Sequence, residues 1–492
     1  MSLSKLHPTK IAEICKGYWL NGEIPQFAFH HVVIDSRQMT SNTLFIALRG
    51  AHKDGHDFLT SLAGQPEHAA MVKNPNPEIS LPQLVVADVE ASLQALAKFI
   101  AHNSRARKIA ITGSVGKTGT KDMIADMLAV ARRVHATKGN LNNHLGVPIT
   151  LNSMPEDTDV LVAEMGMNSA GEITLLSEIV RPDIAIITRI SNTHAAFFNN
   201  LSEIAEAKAE IFSGADAFGT AILPRDDEFY GQLAGSARLS GLRNIISFGT
   251  DEDSTIRLEN MEAHEQGLEI TASLPHPQTQ GMRQIVCFTL GMRAKHYAMN
   301  AVCALAAAHA LKLDLEPLLP AFADMCEGAG RGRVHQLHYA GRELTLIDDS
   351  YNASPASMQA ALEAAAAYNA ENLLIIASDM LELGAAEIAE HKALAAVIET
   401  AKAKSVIAIG PLMQSCCQHL LEAISAIYFA DAKTACAGFD KDLEAMLGAA
   451  DLILIKGSHG SGAHKISAYL LDRLSGKHNG PSTPMRGVFH AA

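Results

Sequence analysis

Short apolar runs alternate with polar or glycine-containing turns along this chain, and no apolar run approaches the length of a membrane span. Near the N-terminus, runs at 32–34, 44–48 and 84–87 predict short strands, and the spacing over 91–102 predicts a helix. The polar tract 103–108 reads as a linker. Beyond it, buried-type strands are expected at 109–111, 160–163 and 184–188. Helices are expected over 201–212, capped by Ser202, over the Ala-rich stretch 300–311, and around 318–326. The glycine-rich, basic run GAGRGR at 328–333 marks a second boundary. After it, apolar runs at 344–347, 373–377, 406–409 and 452–455 alternate with helical stretches, the signature of a parallel sheet wrapped by helices. The pattern predicts an α/β protein of three domains, at 1–105, 106–327 and 328–492.

Composition narrows the function class. At 492 residues the chain is too long for one hydrophobic core. Its formal charge of −13 disfavours a general nucleic-acid binder, while still allowing one local basic loop to hold a polyphosphate. The seven cysteines form no CxxC pair and read as reduced thiols. The N-terminal MSLSKLHPTK has no apolar signal core, and the expectation is a soluble cytoplasmic protein.

The segment KIAITGSVGKTGTK at 108–121 carries the strongest chemical signal. An apolar run ends in Gly113, Ser114, Gly116, Lys117 and Thr118, and an amphipathic segment with Met123, Ile124, Met127 and Leu128 follows. A strand would deliver the chain to a tight turn whose glycines let backbone N–H groups point inward. The next helix would offer its positive end to an anion. Lys117 would neutralise phosphate charge and Thr118 would hold magnesium. Ile111 stands where the longer form of this loop has a glycine, so the match is to a shortened phosphate loop. An ordinary strand-to-helix connection is the alternative.

Ligands gather outside the carboxyl ends of strands in open α/β sheets. Glu164 falls at such an end; it could hold magnesium, or be satisfied by a neighbouring helix N-terminus. His194 lies in the loop after the 184–188 run, where a lone histidine usually does nothing. Asp348 and Asp349 end another run and read either as a solvated, capping turn or as a ribose or metal site. Lys456-Gly457-Ser458 repeats this placement. Lys208 sits in the 201–212 helix, and its spacing alone reads as a solvated surface charge.

Taken together, these motifs resemble the Mur ligase family along essentially the whole chain. The resemblance rests on Asp35-Ser36-Arg37, LFIALRG and DGHDF near the N-terminus, GNLNNHLGVP at 139–148 and EMGMNSAGEI at 164–173. AKAEIF at 207–212, IDDSYNASPASM at 347–358 and DMLELG at 379–384 complete it. It implies a central P-loop nucleotide-binding sheet domain, a UDP-sugar-peptide-binding domain before it, and a C-terminal Rossmann-like domain that binds the acceptor. Among the family's members it points to the ligase that adds D-alanyl-D-alanine to UDP-N-acetylmuramoyl-tripeptide through an acyl phosphate, in peptidoglycan synthesis. A monomer is expected, and the acidic charge argues against a nucleic-acid partner.

The resemblance also implies roles. Gly113, Ser114, Gly116, Lys117 and Thr118 would cradle ATP, with Thr118 and Glu164 on magnesium. Lys208 matches a lysine carbamylated by carbon dioxide, whose carbamate holds a second magnesium with His194 nearby. Lys117, Lys208 and His194 would be the catalytic residues. His296, Asn300, Arg333, Asp349 and Asn352 would contact the nucleotide, and Asn142 and Asn143 the substrate at the reacting centre. Asp35, Ser36, Arg37, Asp54 and His56 would face the UDP-sugar end. The chain departs from the family pattern at Gly119, Arg189, Pro224 and Ser378, and lacks an arginine in GSHGSGAHK at 457–465. A sister ligase with a different acceptor, a folylpolyglutamate-type ligase and a non-catalytic nucleotide-binding homologue are the alternatives.

Overall fold

Asp88 shows how local sequence starts an element: its carboxylate accepts from the Ala91 N–H at 2.9 Å and caps the first long helix. The computed structural model describes residues 2–474 other than 51–52, 65–66, 192–197, 199, 265–266, 277–278, 280, 340 and 439–441. The described residues up to Met325 form one compact unit and those from Cys326 onward a second.

The first segment contains α1 (Pro8–Ile14), β1 (Tyr18–Trp19), β2 (His31–Val33), β3 (Thr43–Ile46), β4 (His68–Val72), β5 (Gln83–Val85) and α2 (Val89–Asn103). The sheet order is β1-β5-β4-β3-β2, parallel except for β1. Only residues 104–106 separate α2 from the next strand, so the expected linker is shorter than its polarity suggests. Lys108, polar but inside the strand, donates its N–H to Asp183 at 2.7 Å.

The second sheet begins with β6 (Arg107–Thr112), α3 (Lys117–Ala129), β7 (Val134–Ala136), α4 (Gly146–Asn152) and β8 (Val160–Glu164). It continues through α5 (Glu172–Val180), β9 (Ile184–Ile187), α6 (Leu201–Ala209), β10 (Thr220–Pro224), α7 (Tyr230–Leu239) and β11 (Asn244–Gly249). The antiparallel strands β12 (Ile256–His264), β13 (Gly267–Pro275) and β14 (Arg283–Leu290) follow, then α8 (His296–Ala310). The order is β14-β13-β12-β11-β10-β9-β6-β8-β7. Parallel pairing sets Ile111 opposite both Glu164 and Ile186, so the carboxyl ends of β6, β8 and β9 share one edge. The expected helix near 318–326 is a single 3-10 segment, Leu319–Asp324, with Pro320 in its first turn.

The second unit holds β15 (Arg333–Tyr339), β16 (Arg342–Asp349), α9 (Pro355–Ala366), β17 (Leu373–Ser378), α10 (Glu387–Thr400) and β18 (Ser405–Ile409). It ends with α11 (Met413–Cys417), β19 (Ser425–Phe429), α12 (Ala432–Gly438), α13 (Asp442–Ala449), β20 (Leu452–Lys456) and α14 (Ala463–Leu474). Its order is β15-β16-β20-β17-β18-β19, with only β15 antiparallel. The four predicted apolar runs are its inner strands. Each of those strands carries a buried apolar run because helices cover both sheet faces. Among the described residues no helix is long and apolar enough to cross a membrane.

Candidate active site

The phosphate-loop segment leaves β6 at the shared edge and is tied down from β9. Thr188 Oγ1 donates to the Val115 carbonyl at 2.6 Å, and the Ser114 N–H donates to the Arg189 carbonyl at 2.7 Å. Arg189 therefore serves through its backbone, which explains why its side chain departs freely from the family pattern. Gly113, at φ 151°, leaves no room for a side chain: a Cβ would collide with Thr188 Oγ1. Gly116 starts α3 in the left-handed region at φ 82°. Lys117 folds back, donating to the Gly113 carbonyl at 2.6 Å and the Ser114 carbonyl at 3.2 Å. Ser114 is buried and its hydroxyl has no hydrogen-bond partner. Asn300, on α8, lies over the same turn: a Cβ on Gly119 would come within 2.8 Å of its Nδ2. Gly119 thus lets α8 approach where the family usually has a threonine. His296 opens α8 and is exposed.

Glu164 ends β8 at 1% exposure. Asn142 Nδ2 donates to its Oε1 at 2.8 Å, and its own N–H donates to Thr137 Oγ1 at 3.0 Å. Oε2 is buried with no hydrogen-bond partner. No helix N-terminus satisfies that oxygen, so the structure sets aside the bland reading of this carboxylate. Asn143 instead serves its own turn, accepting from the Gly146 N–H at 2.9 Å at the start of α4.

Lys208 overturns the surface-charge reading. It is 0% exposed, and its Nζ has no hydrogen-bond partner. Burial drives its ammonium well below the ordinary lysine range, and the charge of Lys117 adds to that; Glu210 and Glu172 pull the other way. Glu210 is itself held by the Gly171 N–H at 2.6 Å and the Thr174 N–H at 3.1 Å, at the start of α5. The helix cap is Asn200, which accepts from the Glu203 N–H at 3.0 Å; Ser202, the expected cap, donates to Gln232. His194 lies outside the described residues.

At the N-terminal sheet, Arg37 grips Asp35 with Nε to Oδ1 at 2.9 Å and Nη2 to Oδ2 at 2.6 Å, around Ser36. His56 Nε2 accepts from the Lys73 N–H at 3.0 Å, so its Nδ1–H donates to Asp54 at 2.6 Å. Asp54 and His56 are thus satisfied by each other and by the backbone, and they shape the turn. In the second unit the two aspartates are no solvated turn. Ser354 caps α9, while Asp348 is buried and accepts from the Gly330 N–H at 3.0 Å and the Ser350 hydroxyl at 2.6 Å. Lys456, 3% exposed, donates to Asp349 at 2.6 Å and to the Asn352 carbonyl at 3.1 Å. Burial raises the Asp349 carboxyl above its usual range, against the pull of Lys456. Ser378 donates into Ser461 at 2.6 Å, a use for the hydroxyl that glycine would lack. Arg333 is exposed on β15.

Gly113, Ser114, Lys117, Thr118, Asn142, Glu164, Lys208 and Asn300 lie in the first unit, and Arg333, Asp349 and Asn352 in the second. Sequence reasoning missed Thr188 and Thr137; only their strand-end positions could have marked them. Among the described residues no three His, Cys, Asp or Glu side chains form a metal cage. Magnesium binds through one or two carboxylates plus substrate phosphates. The open Glu164 Oε2 fits such a ligand.

A shortened phosphate loop at the same sheet edge as a buried carboxylate, with a buried amine under the charge of its lysine, is the arrangement of a nucleotide-binding enzyme. The chain matches the Mur ligase family catalytic domain over 28–104, the Mur ligase middle domain over 111–308, and the Mur ligase glutamate ligase domain over 332–459. It is 36% identical over 412 residues to the UDP-N-acetylmuramoyl-tripeptide–D-alanyl-D-alanine ligase of Bacillus subtilis, covering 82% of this chain and 84% of that one. The same-named ligase of Rickettsia prowazekii is 33% identical over 445 residues, 89% and 95% of the two chains. The crystal structure of MurF from Acinetobacter baumannii superposes at a TM-score of 0.81 with 28% identity, covering 96% of this chain and 100% of that one. The chain belongs to the Mur ligase family.

Proposed function

We infer that this chain is an ATP-dependent, ADP-forming peptide ligase that joins D-alanyl-D-alanine to UDP-N-acetylmuramoyl-tripeptide in peptidoglycan precursor synthesis. The relatives' names support the two substrates. The observation that carries the chemistry is the buried, unpartnered Lys208 amine within electrostatic reach of the phosphate-loop Lys117.

A peptide carboxylate is a poor electrophile, so the γ-phosphoryl of ATP passes to it first. A carboxylate oxygen bonds to phosphorus, the bond from phosphorus to the β–γ bridging oxygen breaks, and ADP leaves. The amine of the dipeptide then attacks the acyl carbon and loses a proton. The tetrahedral intermediate expels phosphate and leaves the amide. Both reacting groups are anions at the first step. The amides of Gly113 and Gly116 and the open Ser114 hydroxyl, together with Lys117 swung from its loop carbonyls, screen their repulsion. Magnesium, when bound, would be held by Thr118 and Glu164 and would further neutralise phosphate charge. A neutral Lys208 amine bonds to the carbon of carbon dioxide and sheds a proton, becoming a carbamate anion. Asn142 and Asn143 fix the segment at the reacting centre. Orienting amine and acyl phosphate contributes about 7–11 kcal/mol of barrier lowering.

The remaining assignments follow the three sheets. Asp35, Ser36 and Arg37, with the Asp54–His56 turn, serve the UDP end in a domain of residues 1–105. His296 and Asn300 serve the nucleotide from residues 106–327. Arg333, Asp349 and Asn352 serve it from residues 328–492, which also hold the dipeptide. A soluble, cytoplasmic enzyme acting as a monomer is part of the same reading. ADP release with ATP, magnesium, the UDP-tripeptide and D-alanyl-D-alanine, each omitted in turn, tests the reading. Release that needs all four and yields a UDP-pentapeptide supports it; release driven by a single amino acid in place of the dipeptide would sink it.

A further inference from the structure

Lys121 has no role in the chemistry above, yet it is only 4% exposed. A buried ammonium persists only where its donors are satisfied. Its Nζ donates to the Thr137 carbonyl at 2.7 Å and pairs with Asp122 at 2.6 Å. Thr137, 1% exposed, accepts through its hydroxyl from the Glu164 N–H at 3.0 Å, and its own N–H donates to the Val162 carbonyl at 3.1 Å. Asn142, further along the same connection, holds the Glu164 carboxylate at 2.8 Å. The ammonium sits one turn along α3 from Lys117. Contacts therefore run from the phosphate-loop helix through Thr137 to the Glu164 backbone, while Asn142 holds the Glu164 carboxylate from further along the same, more exposed connection.

We propose that Lys121 is a positioning residue. It holds the Thr137 end of the connection that runs on to Asn142 against α3, and so fixes where Glu164 presents its open oxygen. The proposal rests on the reading of Glu164 as a divalent-cation ligand. A purely structural tie would stabilise the fold without any specific effect on the cation.

The test titrates Mn2+ by electron paramagnetic resonance into protein saturated with a non-hydrolysable ATP analogue, and follows amide hydrogen exchange over 160–166. Lys121→Met keeps the apolar stem and removes the donor. It is expected to weaken Mn2+ binding about tenfold and to speed exchange at Glu164, while metal-free nucleotide binding stays unchanged. Lys121→Gln, which keeps a donor, should recover much of the loss. Thr137→Val keeps the carbonyl that Lys121 holds but deletes the hydroxyl, and should reproduce the Mn2+ defect; if Lys121→Met does not fold, Lys121→Leu takes its place. Wild-type Mn2+ affinity in the folded variant that lacks the Lys121 donor overturns the proposal, whatever Thr137→Val shows. So does a Mn2+ loss that merely tracks an equal loss of nucleotide binding. Glu164→Ala separates the premise: unchanged Mn2+ binding there removes the reading of Glu164 itself, and the proposal with it.

Discussion

Asn142 donates through Nδ2 to Glu164 Oε1 at 2.8 Å, which leaves Oε2 as the oxygen that faces away from any protein donor. The amide orients the carboxylate without neutralising it. Partners of this kind govern metal affinity and activity by about 10–100-fold when removed. Asn142→Leu is therefore expected to lower kcat by that order and to raise the magnesium concentration needed for half-maximal rate. Its Tm should stay close to wild type, because Asn143, and not Asn142, holds the start of α4. Unchanged magnesium dependence would reduce Asn142 to a packing residue.

Lys208 gives a pH prediction whose sign is fixed by burial. Its folded-state proton affinity is lowered, so between that value and the unfolded one the unfolded chain binds the extra proton. Stability then rises with pH across that window. Lys208→Met removes the buried amine, and in CO2-free buffer it should be more stable than wild type at neutral pH. The advantage should shrink as pH climbs toward the ordinary lysine range. Thermal melts of both proteins across pH check this; an advantage that grows with pH would contradict a buried, unmodified amine. Lys208→Ala should be nearly inactive and partly rescued by a small carboxylate that takes the place of the carbamate.

The reach of sequence reading differs between these two residues for a physical reason. Glu164 was marked as a candidate because a strand end is a topological position, legible from an apolar run. Lys208 looks like any helical lysine, since the burial of α6 is set by packing partners distant in sequence. The same divide runs through the fold. The inner strands of the second unit are legible as apolar runs, whereas the outer strand β15, only partly buried, shows no such run. The Lys456–Asp349 pair joins two strand ends that sequence distance hides.

Two glycines at the phosphate loop separate a strained backbone from a close approach. Gly113→Ala would place a Cβ against Thr188 Oγ1 at a positive φ, and is expected to cost about 1–3 kcal/mol together with nucleotide binding. Gly119→Ala meets the movable amide end of Asn300 at 2.8 Å. That variant should melt near wild type but raise KM for ATP, as Asn300 is pushed off the loop. Chemical denaturation and ATP titration read the two effects separately. Equal stability losses in both variants would contradict the distinction.

Lys456→Met leaves Asp349 buried without its cation. Breaking one partner of a buried pair costs about 3–5 kcal/mol, and Asp349, with some solvent contact, should fall at the lower end. Burial already raises the Asp349 carboxyl, and loss of Lys456 removes the opposing pull. A carboxyl raised on folding favours the folded state at low pH and loses that advantage as pH rises through its folded value. The deficit of Lys456→Met relative to wild type should therefore be largest near neutrality and narrow in acid. Denaturation of the two proteins at neutral and acidic pH reads the difference directly. A deficit independent of pH would mean that Lys456 acts through its hydrogen bond to the Asn352 carbonyl, and not through the charge of Asp349.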